Sequence, residues 1–310
     1  MPVVSDRMAG SPVVMVSLGN SALPLSPPLP DMFTQRSASL AGVRVVSLAT
    51  NLPGPLAARH LQRLGASVIK IEPPAGDAVQ AFPKWYQALN KGQTIEALDL
   101  KTQPGTARFV ELLTDADMLI SSMRPSAAER LGLYNLVQQA GVAHIEIIGD
   151  LEAPNAPGHD LTYQAAAGVL ASPQVPRVPW ADVIGGYQAT IAALDALRER
   201  EQAQANGNNV VVHRRIGLKQ GVDEAAEAYR FGATAPGEVL SGAHPQYAIY
   251  KTQDGWIAVA ALEPHFHARL TTLLGESFVT LTEHFAKYST AEWLEFANQH
   301  DLPFSAVEDN

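Results

Sequence analysis

Short apolar runs alternate with amphipathic segments between residues 40 and 150. The apolar runs are rich in Val and Ile, which is typical of strands buried within a parallel sheet. They are VRVVSLA (43–49), SVIKIE (67–72), IEALDL (95–100), DMLISS (117–122) and HIEII (144–148). Segments with helical spacing follow most of them, for example LAARHLQRLG (56–65). This alternation predicts an open α/β sheet of parallel strands.

The pattern changes after residue 205. The run QYAIYKTQDGWIAVAAL (246–262) has two alternating stretches around Asp254-Gly255, which predicts a β-hairpin, and VVVHRRI (210–216) is a candidate strand. At the other end, the chain is rich in Pro and Ser, which predicts an extended or disordered tail. We therefore predict a tail over residues 1–38, a large α/β domain over 39–205 and a small α+β domain over 206–310.

Composition narrows the classes of function. The chain of 310 residues has a formal net charge of −9 and no cysteine. An acidic chain is unsuited to a nucleic-acid surface, and the lack of cysteine excludes disulfides, thiolate metal sites and a cysteine nucleophile. No apolar run approaches the ~20 residues that span a bilayer. We expect a cytoplasmic protein without a membrane span, a nucleic-acid partner or a bound metal.

Two titratable side chains lie at predicted helix starts. His159 precedes the helical run LTYQAAAGVLA, and Asp182 begins the run DVIGGYQATIAALDALRER. A helix N-terminus offers unpaired N–H groups and a partial positive charge, which stabilise a carboxylate or a developing oxyanion. The pair is therefore suited to acid/base or nucleophilic chemistry. The alternative is that Asp182 is only an N-cap and His159 a loop residue.

The predicted sheet also brings a basic residue to its ligand-binding edge. Ligands of open α/β sheets lie at the carboxyl ends of the strands, and Arg124 follows the strand DMLISS closely. Arg124 is suited to an anion, and a solvated surface arginine is the alternative. The loop TNLPGP after the first strand lacks the G-x-G-x-x-G pattern, so binding of a nicotinamide dinucleotide is not indicated.

Several longer motifs follow one another in a recognisable order. They are LAGVRVVSLATNLPGPLAARHLQRLGASVIKIEPPAGD (40–77), ADMLISSMRPSAAERLGL (116–133), PGHDLTYQAAAGVL (157–170) and HPQYAIYKTQDGWIAVAALEPHFHARL (244–270). In this order they resemble the family III CoA-transferase (CaiB/BaiF) superfamily, closest in motifs to its α-methylacyl-CoA racemases. The resemblance implies a large Rossmann-like domain, a small domain, and two subunits threaded through each other as an interlocked homodimer.

The resemblance also assigns roles to residues. The Gly-His-Asp histidine corresponds to His159, the carboxylate before the long helix to Asp182, and a glutamate that supports the histidine to Glu263. The implied substrate is a coenzyme A thioester, with no tightly bound cofactor. The backbone N–H of Asp160 is the candidate donor to an enolate oxygen. The other residues that the resemblance assigns to CoA are Ala97, Leu98, Asp99, Leu100, Arg124, Arg130 and Gly158.

Two reactions are compatible with these residues. In a racemase or epimerase of 2-methylacyl-CoA thioesters, His159 and Asp182 transfer protons on opposite faces of the α-carbon through an enolate. In a transferase that moves CoA between carboxylic acids, Asp182 is the nucleophile and forms an aspartyl-CoA thioester. His159 and the motif Glu263-Pro264-His265-Phe266 favour the racemase.

Some positions depart from the racemase pattern. Pro73 stands where racemases carry an arginine that contacts CoA, and Gln93 and Thr94 stand where they carry basic residues. The segment IIGDLEAPNA (147–156) replaces a glycine-rich segment, and the chain ends before the segment that returns to the large domain. A divergent, non-catalytic CoA-binding paralogue is therefore a third alternative.

Overall fold

The fold is built on a six-stranded parallel sheet with strand order β3-β2-β1-β4-β5-β6. The computed structural model describes residues 38–308, so nearly all of the predicted N-terminal tail lies outside the described residues. The strands are β1 (Arg44–Ser47), β2 (Ser67–Glu72), β3 (Thr94–Ala97), β4 (Met118–Ser121), β5 (Ala143–Ile148) and β6 (His213–Gly217). The predicted Rossmann-like open parallel sheet is confirmed.

Helices cover both faces of this sheet, as crossover connections between parallel strands require. They are α1 (Pro53–Arg63), α2 (Pro83–Leu89), α3 (Gln103–Thr114), α4 (Pro125–Arg130), α5 (Leu133–Ala140), α6 (Asp160–Ala167) and α7 (Trp180–Ala205). On one face, α1 and α7 bury Leu61, Ala193 and Ile145 in a single apolar cluster. On the other face, α3 and α5 bury Phe109 and Leu133. Both faces of the central strands are therefore shielded from solvent.

The strand order reverses between β1 and β4. The chain runs outward from β1 through β2 to β3, returns to β4 beside β1, and continues to β5 and β6. The connections that leave β1 and β4 therefore run to opposite sides of the sheet and open a crevice at the carboxyl ends of these strands. Ligands of open α/β sheets bind in such a crevice.

The edge strand β6 pairs with β5 in the large sheet. The strand predicted within residues 210–216 is therefore confirmed, and its partner is a strand of the large sheet. The helix α8 (Leu218–Ala225) follows β6 and packs against α6 and α7. We retain the division into a large and a small domain as a proposal. Because β6 and α8 pack with the elements of the large sheet, the proposed boundary moves from residue 205 to a point beyond α8.

A second, antiparallel sheet forms in the C-terminal part of the chain. Its strands are β7 (Tyr247–Lys251), β8 (Trp256–Ala260) and β9 (Phe304–Val307), and the helices after α8 are α9 (Glu227–Arg230), α10 (Pro264–Leu274), α11 (Phe278–Phe285) and α12 (Thr290–Gln299). The rings of Phe285 and Trp293 are buried against this sheet. The hairpin predicted at Asp254-Gly255 is confirmed, whereas β9 was not predicted. No helix within residues 38–308 combines the length and apolar character needed to cross a membrane.

Candidate active site

A cleft of about 210 Å³ lies at the point where the strand order reverses. Its walls come from the loops after β1, β4 and β5, from the start of α6 and from the first turn of α7. The residues that line it include Thr50, Asn51, Ser122, Arg124, Gly149, Gly158, His159, Tyr163, Asp182 and Leu218. The structure thus brings together four residues predicted from the sequence, namely Arg124, Gly158, His159 and Asp182.

The loop after β1 is held rigidly at the edge of the cleft. The backbone N–H of Thr50 donates to the Ser122 hydroxyl at 3.1 Å, which ties the ends of β1 and β4 together. Asn51 adopts a left-handed conformation with φ 66°, and its N–H donates to a carboxylate oxygen of Asp77 at 3.1 Å. The other oxygen of Asp77 accepts from the buried ammonium of Lys70 at 2.6 Å. A buried ion pair therefore fixes a strained backbone position beside the ligand crevice.

His159 is the N-cap residue of α6, and its exposed imidazole lines the cleft. Its backbone is extended, with φ −141°, and its N–H donates to the Thr162 hydroxyl at 3.0 Å. This bond satisfies a backbone donor at the helix start and fixes the direction in which the chain enters α6. The imidazole consequently leaves the backbone at a defined point on the wall of the cleft.

Two glycines make room for the ring of Tyr163, one turn after His159. A Cβ at Gly158 would lie 2.3 Å from the Tyr163 hydroxyl oxygen, and one at Gly149 would lie 2.0 Å from it. The buried ring therefore passes between two backbone segments and brings its hydroxyl to the cleft. Burial raises the pKa of Tyr163, and the negative charge of Asp182 raises it further, so the phenol stays protonated.

Asp182 lies in the first turn of α7 and is half-buried at the cleft. Burial raises the pKa of Asp182 to about 6, with a further contribution from the negative charge of Asp160. No lysine, arginine or histidine within the described part of the chain forms an ion pair with it. A carboxyl group in this position exchanges its proton near neutral pH, which is a requirement for a group that both donates and accepts protons.

Asp160 occupies the predicted position at the start of α6 and also makes side-chain contacts that the sequence did not predict. As the first residue of α6, it has a backbone N–H without an acceptor inside the helix, as the prediction requires. Its side chain, however, is bound elsewhere: one carboxylate oxygen accepts from the N–H of Ala181 at 2.8 Å and from that of Asp182 at 3.3 Å. The Gly-His-Asp motif is therefore in contact with the start of α7.

The remaining predicted residues lie away from this cleft. Glu263 is exposed at the start of α10 and does not line it. Arg130 ends α4, also outside the cleft. The segment from Ala97 to Leu100 begins at the last residue of β3, two strands from β1 at the same carboxyl edge. The N–H of Leu98 donates to the Glu72 carbonyl at 2.9 Å. These residues reach a common ligand only if that ligand is long or if a second chain contributes.

Several cleft residues were not predicted, and their signals in the sequence were weak. Tyr163 stands four residues after His159, so helical spacing could have placed both on one face of α6. Ser122 ends the predicted strand DMLISS, and Asn51 stands two residues after the predicted strand VRVVSLA, so both mark the carboxyl edge. Leu218 gave no signal, because it reaches the cleft only through the pairing of β6 with β5.

The sheet is open and parallel, and a polar cleft lies where its strand order reverses. This arrangement is typical of α/β proteins that bind a small molecule at the carboxyl edge of the sheet. The chain belongs to CoA-transferase family III, whose model matches residues 40–287. It is similar to the probable fatty acyl-CoA transferase Rv3272 of Mycobacterium tuberculosis, with 26% identity over 80% of this chain and 72% of that protein. It is also similar to the α-methylacyl-CoA racemase of Mus musculus, with 29% identity over 83% of this chain and 69% of that protein.

The fold of a solved relative agrees with this assignment. The crystal structure of Rv3272 from Mycobacterium tuberculosis superposes with a TM-score of 0.73 at 24% identity, covering 88% of this chain and 86% of that one. The match of the family model over residues 40–287 confirms the predicted membership of the CaiB/BaiF superfamily, and the solved structure agrees with its fold. Relatives in this family carry both racemase and transferase names, so the family supports the handling of acyl-CoA thioesters and leaves the reaction to be argued from the site.

Proposed function

We propose that this chain inverts the α-carbon of 2-methylacyl-CoA thioesters by proton transfer between His159 and Asp182. The observation that supports it is the meeting of an imidazole and a carboxyl group at one cleft, where the pKa of the carboxyl group is raised to about 6 by burial and by the nearby Asp160. General acid/base catalysis is most effective when the pKa of the catalytic group lies near the working pH.

The reaction balances without a cofactor. One of the two groups removes the proton from the α-carbon, and the electron pair of that C–H bond forms the enolate, with its charge on the thioester oxygen. The other group then donates a proton to the opposite face of the α-carbon, which gives the inverted thioester. The backbone N–H of Asp160 is our candidate donor to the enolate oxygen, because it lies at the start of α6 beside His159.

We propose that the CoA moiety extends along the carboxyl edge of the large sheet. Arg124 lines the cleft, and no acidic side chain among the described residues pairs with it, which leaves it available for a phosphate or a carboxylate. Ala97 to Leu100 lie two strands away from β1, which corresponds to about 10 Å along the edge. Arg130 would contact the same ligand further out. Pro73, Gln93 and Thr94 offer this ligand no charge.

We propose a homodimer in which Glu263 of the partner subunit approaches His159. Glu263 is exposed at the start of α10, away from the cleft of its own chain, and the resemblance assigns it a supporting role for the histidine. Co-expression of Glu263→Ala chains with Asp182→Asn chains tests this arrangement, because interlocked subunits do not exchange once folded. Activity in the purified mixed dimer supports a shared site, whereas an inactive mixed dimer contradicts it.

The transferase is the second candidate, and two observations favour it. Asp182 lies in the first turn of α7, where helix N–H groups favour a carboxylate, and one relative is named an acyl-CoA transferase. In that reaction the Asp182 carboxylate attacks the thioester carbonyl and CoA leaves as the thiolate, giving a mixed anhydride. The thiolate then attacks the aspartyl carbonyl, which releases the first acid and leaves an aspartyl-CoA thioester.

Solvent exchange separates the two reactions. A chiral 2-methylacyl-CoA incubated with the enzyme in deuterium oxide is expected to gain one α-deuteron and to lose its optical purity. A parallel assay follows the movement of CoA to a second carboxylic acid, and hydroxylamine traps an adduct on Asp182. Asp195→Asn, an exposed position in the same helix as Asp182, is the matched control.

Three outcomes are distinct. Exchange without CoA transfer supports the racemase. CoA transfer with a trapped adduct and without exchange supports the transferase. Thermal stabilisation by CoA, with neither reaction and with no effect of Asp182→Asn on any assay, supports the non-catalytic alternative.

A further inference from the structure

We infer that the side chain of Asp160 is a positioning residue, which caps the first turn of α7 and sets the protonation of Asp182 in the cleft. The inference rests on the proposed proton transfer, because it concerns one of its two groups. It also assigns the carboxylate of the Gly-His-Asp motif a role of its own, besides that of the Asp160 backbone.

The residue that directly precedes α7 provides no side-chain cap for its first turn. The residue at its N-cap position is Pro179, whose side chain cannot accept a hydrogen bond. Asp160 replaces that cap from the start of α6. One of its carboxylate oxygens accepts from the N–H of Ala181 at 2.8 Å and from the N–H of Asp182 at 3.3 Å. Two of the unpaired N–H groups that open a helix are thereby satisfied.

The second oxygen of Asp160 is held as firmly as the first. It accepts from the side-chain amide of Gln164 at 2.7 Å, and that amide also donates to the carbonyl of Val178 at 3.2 Å. Gln164 lies one helical turn after Asp160 and is buried, with 1% of its surface exposed. Because both oxygens have partners, the carboxylate cannot rotate away, and its charge stays beside Asp182.

This fixed charge acts on a carboxyl group that forms no ion pair with a cationic side chain among residues 38–308. Burial raises the pKa of Asp182 to about 6, and Asp160 is the charged group that raises it further. The other titratable or charged groups of the cleft and of the helices packed on α7 are His159, Tyr163, Arg124, Arg59, His60, Arg63, Lys219, Asp223 and Glu224. A fixed neighbour of like charge therefore keeps the protonated form of Asp182 accessible near neutral pH.

The contacts explain how one motif can prepare both groups of the proposed reaction. His159 immediately precedes Asp160 in the chain, so the residue that orients the start of α7 is covalently attached to the imidazole residue. A shift of α6 would move the imidazole and the cap of α7 together. The spacing between the two proton-transfer groups is thus set by one side chain in addition to the packing of α6 on α7.

An NMR titration tests the inference without any substrate. The protein is labelled with ¹³C at its aspartate carboxyls, and the signal of Asp182 is assigned from its absence in Asp182→Asn. In the wild type this signal is expected to titrate with a midpoint near pH 6. In Asp160→Asn, which retains an oxygen acceptor for the two N–H groups, the midpoint is expected to move to lower pH. Asp160→Ser removes the charge in a smaller side chain, in case the asparagine variant does not fold.

The matched control is Asp150→Asn, which removes a carboxylate at the end of β5 that binds Gln220 rather than α7. It is expected to leave the Asp182 midpoint in place. Amide hydrogen exchange at Ala181 and Asp182 reports the cap itself, and is expected to quicken in Asp160→Ser. An unchanged midpoint in folded Asp160→Asn, or a control that shifts the midpoint equally, overturns the inference.

The pH dependence of α-proton exchange connects the titration with the reaction. In Asp160→Asn the limb of the pH–rate profile that Asp182 governs is expected to shift in the same direction as the NMR midpoint. A purely structural role would lower the rate at every pH without shifting the limb. If the wild type shows no exchange, the proposed function fails, while the NMR midpoints still decide the inference. If the wild type exchanges and Asp160→Asn has an unshifted limb and midpoint, the inference fails alone.

Discussion

Two carboxyl groups in the α/β part of this molecule are withdrawn from water, with opposite results. Asp182 lies at the cleft, where its pKa is raised to about 6 by burial and by Asp160. Glu146 lies on β5 with none of its side chain exposed, where burial also raises its pKa, but hydrogen bonds from His213, Tyr134 and Arg215 outweigh burial and lower it to about 2. Burial raises the pKa of both groups, and the hydrogen-bond donors around Glu146 reverse the outcome for that group.

Three side chains donate hydrogen bonds to the carboxylate of Glu146. One of its oxygens accepts from the hydroxyl of Tyr134 at 2.5 Å, and the other accepts from His213 at 3.0 Å and from Arg215 at 2.8 Å. The ring of His144 stacks on that of His213 with centroids 4.9 Å apart. Such a network stabilises the edge strand β6, because two of its members belong to that strand. The carboxyl group at the cleft lacks such partners and therefore stays available for chemistry.

The largest expected effect is on the reaction itself. Asp182→Asn and His159→Ala are each expected to lower the rate of α-proton exchange by about 10²- to 10⁴-fold, because each removes a general acid/base. Steady-state racemisation of a chiral 2-methylacyl-CoA measures the loss. A His159→Ala enzyme that still moves CoA between acids at the wild-type rate would instead assign the site to the transferase.

The next effect concerns the paired carboxyl group. Glu146→Ala is expected to lower the free energy of unfolding by about 3 kcal/mol at pH 7, because it removes three hydrogen bonds to a buried carboxylate, while the partly exposed His213 and Arg215 regain water. Denaturant unfolding measures the change. Glu201→Ala, which removes an exposed partner of Arg198, is the control and is expected to cost less than about 1 kcal/mol. Equal losses in the two variants would contradict the contrast between the sites.

A smaller effect, of opposite sign, is expected at the cleft. The pKa of Asp182 rises from 3.8 in the unfolded chain to about 6 in the folded one, so its contribution to stability is present at pH 4 and is lost as the pH rises through 6. Asp182→Asn removes this loss, which corresponds to about 2 kcal/mol once solvent screening of this half-buried group is allowed for. The variant is therefore expected to be more stable than the wild type at pH 8 and little changed at pH 4.

Unfolding curves at the two pH values measure this difference. A variant that is less stable than the wild type at pH 8 would contradict this account, because it would show that the ionised carboxylate of Asp182 stabilises the folded chain. Glu146 provides the opposite sign in the same experiment, because its pKa is lowered. Its contribution is present above pH 4.5 and is lost as the pH falls towards 2.

The smallest expected effect is on substrate binding. Arg124→Ala is expected to raise KM for an acyl-CoA about 10-fold with little change in kcat, because a hydrogen bond to a charged group contributes about 1.5 kcal/mol or more. Arg198→Ala, on the exposed side of α7, is the matched control. A drop in kcat without a change in KM would indicate that Arg124 acts on the reacting atoms rather than on CoA.

Much of the fold was predictable because its strands carry their own signal. The five apolar runs between residues 40 and 150 each became a strand of the large sheet, with SVIKIE matching β2 at both ends. The partner of β6 was not predictable, because the sequence of a strand does not specify which sheet edge it pairs with. The strand β9 was missed because its four residues, FSAV, alternate too briefly to be distinguished from a loop.

The site was predictable where chemistry is local and unpredictable where it depends on distant contacts. His159 precedes a helical run and Asp182 opens one, so their positions near helix starts followed from the sequence, although α7 begins two residues earlier than predicted, at Trp180. The bond from Asp160 to Ala181 spans 21 residues and has no signal in either segment. The same holds for Glu146, because HIEII predicts a buried strand but not the three side chains that reach its carboxylate.

The measurement that tests the account most directly is solvent exchange at the α-carbon. The wild-type enzyme, incubated with one enantiomer of a 2-methylacyl-CoA in deuterium oxide, is expected to yield both enantiomers with deuterium at the α-position. The same incubation with Asp182→Asn is expected to leave the starting enantiomer unchanged and without deuterium at its α-position. Retention of the α-proton and of optical purity by the wild type, while CoA moves to an added carboxylic acid, would contradict the proposed racemase.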